Sequence, residues 1–178
     1  RGTGDMQLLI RRTAAEPNAP QLDGTIVCRD ISVRNQKFPY RLDGIAGPIE
    51  FSGRDINFDR LTARHDDVAF ELDGYVHNPG PNARIDLNLS SPNLRFDEDL
   101  FKALQPSVKK VWHSFAPQGR AAVNYHFERF EDGSKDMTLR MDFLQSRLVY
   151  EHFPYPLERL TGTVTMTPEN VVLDKVVS

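Results

Sequence analysis

The chain has 178 residues, of which 39% are hydrophobic, and its 22 basic and 25 acidic side chains give a formal charge of −3. With no lysine- or arginine-rich stripe to neutralise phosphates, the sequence argues against a nucleic-acid partner. The single cysteine, Cys28, excludes an internal disulfide and a cysteine-based zinc site, and its strand-like surroundings predict a buried, unreactive thiol.

The apolar runs are far shorter than the roughly 20 residues that cross a bilayer. We therefore expect membrane contact only through parts of the protein outside this segment. Because the chain opens on Arg1 and stops in an apolar run, residues 1–178 are interpreted as a single fragment of a longer repetitive β protein.

Alternation of apolar and polar residues with a period of two dominates the chain and is typical of strands with one wet face. The clearest apolar sets are Phe70, Leu72 and Val76; Ile85, Leu87 and Leu89; Val123, Tyr125 and Phe127; and Met137, Leu139, Met141 and Phe143. Further strands are predicted at 6–12, 25–33, 45–51 and 55–63, and at the repeat partners of the last two. We expect a mainly β, antiparallel meandering sheet, either a curled groove or sandwich-like, since parallel strands read as continuous apolar runs.

Residues 97–115 break this alternation and predict a short helical hairpin. Asp97 is placed to cap a first helix that stops near Pro106, and that proline then lies in the first turn of a second helix. The apolar residues of both helices fall on one side, which we expect to pack on the apolar face of the sheet. The predicted helix-to-sheet contacts are Leu100, Phe101, Leu104, Val108, Val111, Trp112 and Phe115.

The sequence also repeats itself. Residues 38–63 align without a gap with residues 153–178, an offset of 115 positions from Phe38 to Phe153. The identical pairs are Phe38/Phe153, Pro39/Pro154, Tyr40/Tyr155, Leu42/Leu157, Gly47/Gly162 and Asp59/Asp174. Equal apolar spacing demands equal strand geometry, so the copies should superpose, with the Phe-Pro-Tyr aromatics packing rather than binding a ligand. Such repetition is typical of arrays, and neighbouring repeats of the same chain are the expected partners.

Clusters of reactive side chains are few. In His65-Asp66-Asp67 only His65 and Asp67 share a side of a strand, and we interpret the trio as a solvated turn. Residues 97–99 lack the glycine and distal glutamate of a calcium loop and fit helix capping instead. His113, His126 and His152 have no metal-ligand spacing. We predict no metal, no cofactor and no catalytic residue, and therefore no enzyme.

Both repeat copies contain the motif Phe-Pro-Tyr-Xaa-Leu-Xaa-Xaa-Xaa-Xaa-Gly, followed by a strand, a turn and an apolar strand ending in Asp-Xaa-Leu/Val. This motif resembles the repeat phrase of AsmA-like bacterial envelope proteins, as does ELDGYV at 71–76. LRFDEDLFKALQP at 94–106 and APQGRAAVNY at 116–125 are similar to the helical insert and following strand of large members. The resemblance implies a long antiparallel sheet curled into a gutter with an apolar inside, in the cell envelope or periplasm. Architectural relatives are TamB and the chorein-type bridge proteins, thought to let lipid acyl chains slide between membranes.

We therefore predict a non-catalytic, lipid-contacting groove or scaffold segment involved in envelope or outer-membrane lipid transport or assembly. The residues expected to line the groove, and to contact acyl chains, are Ile85, Leu87, Leu89, Val123, Tyr125, Phe127, Met137, Leu139, Met141 and Phe143. The alternative is a β-sandwich adhesion or carbohydrate-binding module of an extracellular multidomain protein.

Overall fold

A computed structural model describes residues 2–13, 16–34, 36 and 38–178. The side chains of residues 13, 16–20, 153 and 154 lie outside this description, so the packing expected for the Phe153 and Pro154 side chains lies outside it as well.

Within these ranges the chain forms ten strands and two helices. The strands are β1 (Thr3–Thr13), β2 (Glu16–Arg34), β3 (Arg41–Gly53), β4 (Asp55–His65), β5 (Val68–His77), β6 (Arg84–Arg95), β7 (Arg120–Arg129), β8 (Lys135–Tyr150), β9 (Phe153–Met166) and β10 (Val171–Val177). The helices, α1 (Glu98–Ala103) and α2 (Pro106–Phe115), lie between β6 and β7.

The strands form one sheet in chain order, and every neighbouring pair is antiparallel. The predicted mainly β meander with a helical hairpin is thereby confirmed. The sheet is not closed, since β1 and β10 are its two edges. A sandwich needs a second sheet facing the first, whereas the described residues supply one sheet, which is consistent with the curled alternative.

The helical hairpin is an excursion between two paired strands. Asp97 caps α1 as predicted, because its Oδ1 accepts a hydrogen bond from the Leu100 N–H at 2.9 Å. Helix α2 begins at Pro106. Beside the insert, the Phe96 N–H donates to the Gly119 carbonyl at 2.9 Å, so β6 and β7 stay together where the helices leave the sheet.

The core has two parts, and the helices contribute residues to the first. The first contains Tyr40, Val68, Phe70, Leu100 and Ala103, so it joins α1 to β5 and to the segment before β3. The second contains Ala121, Val123, Phe143, Leu160 and Val164, from β7, β8 and β9. Leu94 and Phe96, where β6 leads into the helical hairpin, pack against both parts and connect them.

Strand register recurs every 115 residues. When 115 is added to each residue number, the pairing of β2 with β3 becomes that of β8 with β9, and the pairing of β3 with β4 becomes that of β9 with β10. Corresponding pairs are Cys28–Gly47 and Phe143–Gly162, Ile31–Ile45 and Ser146–Leu160, and Ile49–Phe58 and Val164–Leu173. Strands β2, β3 and β4 therefore have structural counterparts in β8, β9 and β10.

A line of residues with left-handed backbone crosses both sets of strands, and we call it the crease. Its members are Asp30 (φ 53°), Gly44 (61°) and Arg60 (46°) in the first set and, 115 positions later, Gln145 (54°), Arg159 (54°) and Lys175 (50°) in the second. Each lies at a shift of strand register, where the extra residue of a β-bulge reverses the in–out alternation. Phe58 and Leu61 can therefore face the same side of β4 although they are three residues apart.

Candidate apolar binding face

The ten residues predicted to line a groove share one face of β6, β7 and β8. Residues directly opposite each other in an antiparallel pair lie on the same face. Leu87 lies opposite Phe127, which lies opposite Met137 on its other side. The remaining members follow by the same register or by two-residue spacing, and they are Ile85, Leu89, Val123, Tyr125, Leu139, Met141 and Phe143.

The apolar surface continues well beyond these three strands. One row of directly paired residues crosses eight strands, from β1 to β8: Met6, Ile26, Ile49, Phe58, Gly74, Leu87, Phe127 and Met137. A second row, through Leu139, Met166 and Val171, carries it from β8 to β10. We call this surface the apolar face.

Coverage of the apolar face is uneven. Among the ten predicted residues, Val123 and Phe143 are buried and the other eight are partly buried. At the edge of the sheet, Met6 exposes 68% of its surface. Large contiguous exposed apolar surfaces are uncommon on soluble monomers and mark sites of interaction, which makes the uncovered part of this face the candidate binding site.

The helices cover the face less completely than the sequence predicts. Leu100 is buried in the first core part, and Leu104 and Trp112 pack against it. Val108 and Val111, in contrast, expose 45% and 51% of their surface. The 3.6-residue period places Val108, Val111 and Trp112 on one side of α2, but of these three only Trp112 packs against the core.

Aromatic contacts connect the helices to the predicted residues. Trp112 meets Phe101 at a ring-centroid distance of 5.8 Å and the edge of Phe96 at 5.9 Å. Phe96 in turn lies 6.4 Å from Phe143, one of the ten. Phe115 stacks on Tyr150 of β8 at 5.1 Å. The hairpin is therefore fixed over one end of the sheet by aromatic side chains and leaves the other end open.

The polar groups on the apolar face stay neutral. Burial raises the pKa of the Tyr125 phenol and of the Cys28 thiol. Cys28 is buried opposite Gly47, as its strand-like surroundings predict. Tyr125 also stacks with Phe127 at 6.5 Å. Neutral hydroxyl and thiol groups add no charge to the apolar face, which suits it to apolar rather than ionic ligands.

The opposite face of the sheet is polar, and among the residues that the structure describes it brings together one group with metal-ligating atoms. Ligand atoms of Asp86, His126 and Glu128 lie within 4.8 Å of one another. Such a set could hold a divalent cation, but His126 Nε2 is already hydrogen-bonded to Asp86 Oδ1 at 3.1 Å, which accounts for the arrangement without an ion. Sequence spacing does not reveal this group because the helical insert separates β6 from β7.

Asp66 and Asp67 form an exposed turn, as interpreted, but the interpretation is wrong for His65, which is the last residue of β4. Its ring is buried against Tyr40, with 4.0 Å between centroids, and its Nδ1 lies 2.7 Å from the Arg41 carbonyl oxygen, to which it donates. Asp66 and Asp67 instead turn outward to Arg95. His65 thus packs in the core below α1, and its Nε2 lies 3.7 Å from the Asp99 carboxylate.

Comparison of the chain with protein-family models, with curated proteins and with solved structures finds no match. Among the described residues, no helix combines the length and the apolar character that crossing a membrane requires.

Proposed function

We propose that this chain is a non-catalytic segment of a cell-envelope protein and that acyl chains of lipids lie along its apolar face. The observation that carries the proposal is the row of directly paired residues across eight strands of a single open sheet, in which every member except Gly74 has an apolar side chain. A long run of apolar side chains without buried charge suits long hydrocarbon ligands, whose contact energy grows with the apolar area removed from water.

Two further features support this proposal. The Phe-Pro-Tyr repeat and helical insert resemble those of AsmA-like envelope proteins, which implies the same kind of open gutter. Met137 and Met141 lie on the apolar face of one strand, and the flexible thioether of methionine adapts to irregular partners. The alternative of a sandwich-type carbohydrate-binding module lacks its second sheet among the described residues.

The test compares the same acidic substitution on the two faces of β8. Leu139 lies on the apolar face, and its neighbour Thr138 lies on the polar face opposite His126. Native mass spectrometry of the chain purified from bacterial cells should show bound phospholipid for the wild type and for Thr138→Asp, and at least tenfold less for Leu139→Asp. Circular dichroism and thermal melting establish that both variants are folded.

Lipid-free wild-type protein, or equal lipid retention by the two variants, would contradict the proposal. A glycan array probed with the same preparation examines the alternative, because selective sugar binding that survives Leu139→Asp would favour a carbohydrate-binding role.

A further inference from the structure

The second copy of the repeat is less covered than the first. Tyr40 exposes 4% of its surface, whereas Tyr155, its counterpart 115 positions later, exposes 69%. Tyr40 meets the edge of the Phe70 ring, with 5.9 Å between centroids, and packs in one cluster with Val68. Phe70 and Val68 both belong to β5, the strand that pairs with β4.

Strand β10, the counterpart of β4, shows the same difference. Val171 and Leu173 are mostly exposed, while their counterparts Ile56 and Phe58 are partly buried between β3 and β5. In the described sheet β4 has a neighbour on each side, and β10 pairs with β9 alone. The exposed apolar residues of the second copy are therefore those that β5 helps to cover in the first.

The backbone of β10 repeats a specific feature of the β4 edge. In the first copy the N–H of Arg60, a crease residue, donates to Asp73 Oδ1 of β5 at 2.8 Å. Lys175 has the same left-handed backbone, with φ of 50° against 46° for Arg60. The N–H of Lys175 is consequently expected at the corresponding place on the outer edge of β10, where a carboxylate can accept from it.

We propose that the outer edge of β10 binds an antiparallel strand of the β5 type, supplied by a neighbouring repeat of the same kind. The first copy gives the register, because Ile56 faces Val76 and Leu61 faces Leu72 there. Val171 therefore faces the position of Val76, and Val176 faces the position of Leu72. The aspartate at position 73 accepts a hydrogen bond from the Lys175 N–H, and the phenylalanine at position 70 covers Tyr155. Main-chain pairing of this kind gives affinity, and the alternate side chains give specificity.

The test supplies a β5-type strand in trans. A fluorescent peptide with the β5 sequence VAFELDGYVH, flanked by lysines for solubility, is titrated with the full 178-residue chain and followed by anisotropy. Saturable binding is expected, with slowed amide hydrogen exchange in β10. A scrambled peptide of the same composition should bind at least tenfold more weakly, and so should peptides carrying Phe70→Ala or Asp73→Ala.

Register is tested from the side of the protein with Tyr155→Ala. This variant should weaken binding of the native peptide about tenfold but add little to the loss caused by Phe70→Ala, since the two rings are expected to contact each other. Equal binding of the native and scrambled peptides, absence of binding, or independent effects of the two substitutions would each overturn the proposal.

Sedimentation measurements give the remaining outcome. Self-association of the chain into dimers that the β5 peptide cannot bind, with slowed amide exchange in β10, would indicate that a second copy occupies this edge, contrary to the proposal. Val171 belongs to both surfaces, but Leu139 lies on β8, two strands away from the outer edge of β10. Leu139→Asp should therefore leave main-chain pairing with the peptide unchanged, and either proposal can fail without the other.

Discussion

Leu160 offers a quantitative test of how the covered end of the sheet is held together. It exposes 1% of its surface and packs in the core part that contains Val123, Phe143 and Val164. Leu160→Ala removes three carbon groups, which is about 2.4 kcal/mol of burial at about 0.8 kcal/mol for each. The enclosed cavity adds about 1 kcal/mol, so the free energy of unfolding should fall by about 3–4 kcal/mol.

Leu157, three residues earlier in the same strand, is the matched control. It exposes 39% of its surface, so the space left by Leu157→Ala is open to solvent. This variant should lower the free energy of unfolding by about 1.5 kcal/mol. Urea unfolding followed by circular dichroism measures both variants, provided that the dependence on urea is the same for each. Equal losses for the two variants, or a loss below about 1.5 kcal/mol for Leu160→Ala, would refute the packing described for this end of the sheet.

Two further predictions concern charge and the crease. Hydrogen bonding to Arg120 lowers the pKa of Asp67 in the folded protein. The ionised Asp67 carboxylate therefore stabilises the fold above about pH 4, the ordinary range for Asp, and this contribution is lost as the pH falls through the lowered pKa. Between pH 7 and pH 2, the melting temperature of the wild type should exceed that of Asp67→Asn at neutral pH, and the difference should disappear in acid. A difference in melting temperature that grows in acid would contradict this prediction. At the crease, Arg159→Gly should raise the free energy of unfolding by about 0.5–1 kcal/mol, because glycine tolerates the φ of 54° at this position. Gly44→Ala at the equivalent position of the first copy should lower it. Urea unfolding measures both variants, and a lower stability of Arg159→Gly would contradict the prediction.

The apolar face could be predicted from the sequence because it needs only local information. In β7, for example, Val123, Tyr125 and Phe127 keep the two-residue period without interruption, and the register shows no shift along the strand where it pairs with β8. The helix cap at Asp97 is likewise a local pattern, set by its own backbone neighbours. The role of the face in lipid contact stays a prediction.

The crease could not be predicted in this way. Arg60 and Lys175 carry positive φ angles although nothing in an arginine or a lysine signals one, and the bulges shift the apolar positions from one alternation to the other. The burial of His65 was missed for a different reason. Its partners Tyr40 and Arg41 come from a segment 24 or more residues earlier in the chain, so only the tertiary pairing brings them together.

The crease also divides the sheet into two compartments. Leu42 and Leu61 lie on one side of it, where Leu42 packs against the core part that contains Leu100 of α1, and Ile49 and the rows that remain open lie on the other. Each crease residue adds one position to its strand, so deleting it would turn every side chain between the bulge and the strand end to the opposite surface. Loss of a single exposed residue such as Gln145 would thus expel Ser146 and Leu148 from the interior together, an inversion that no substitution at the same place could cause.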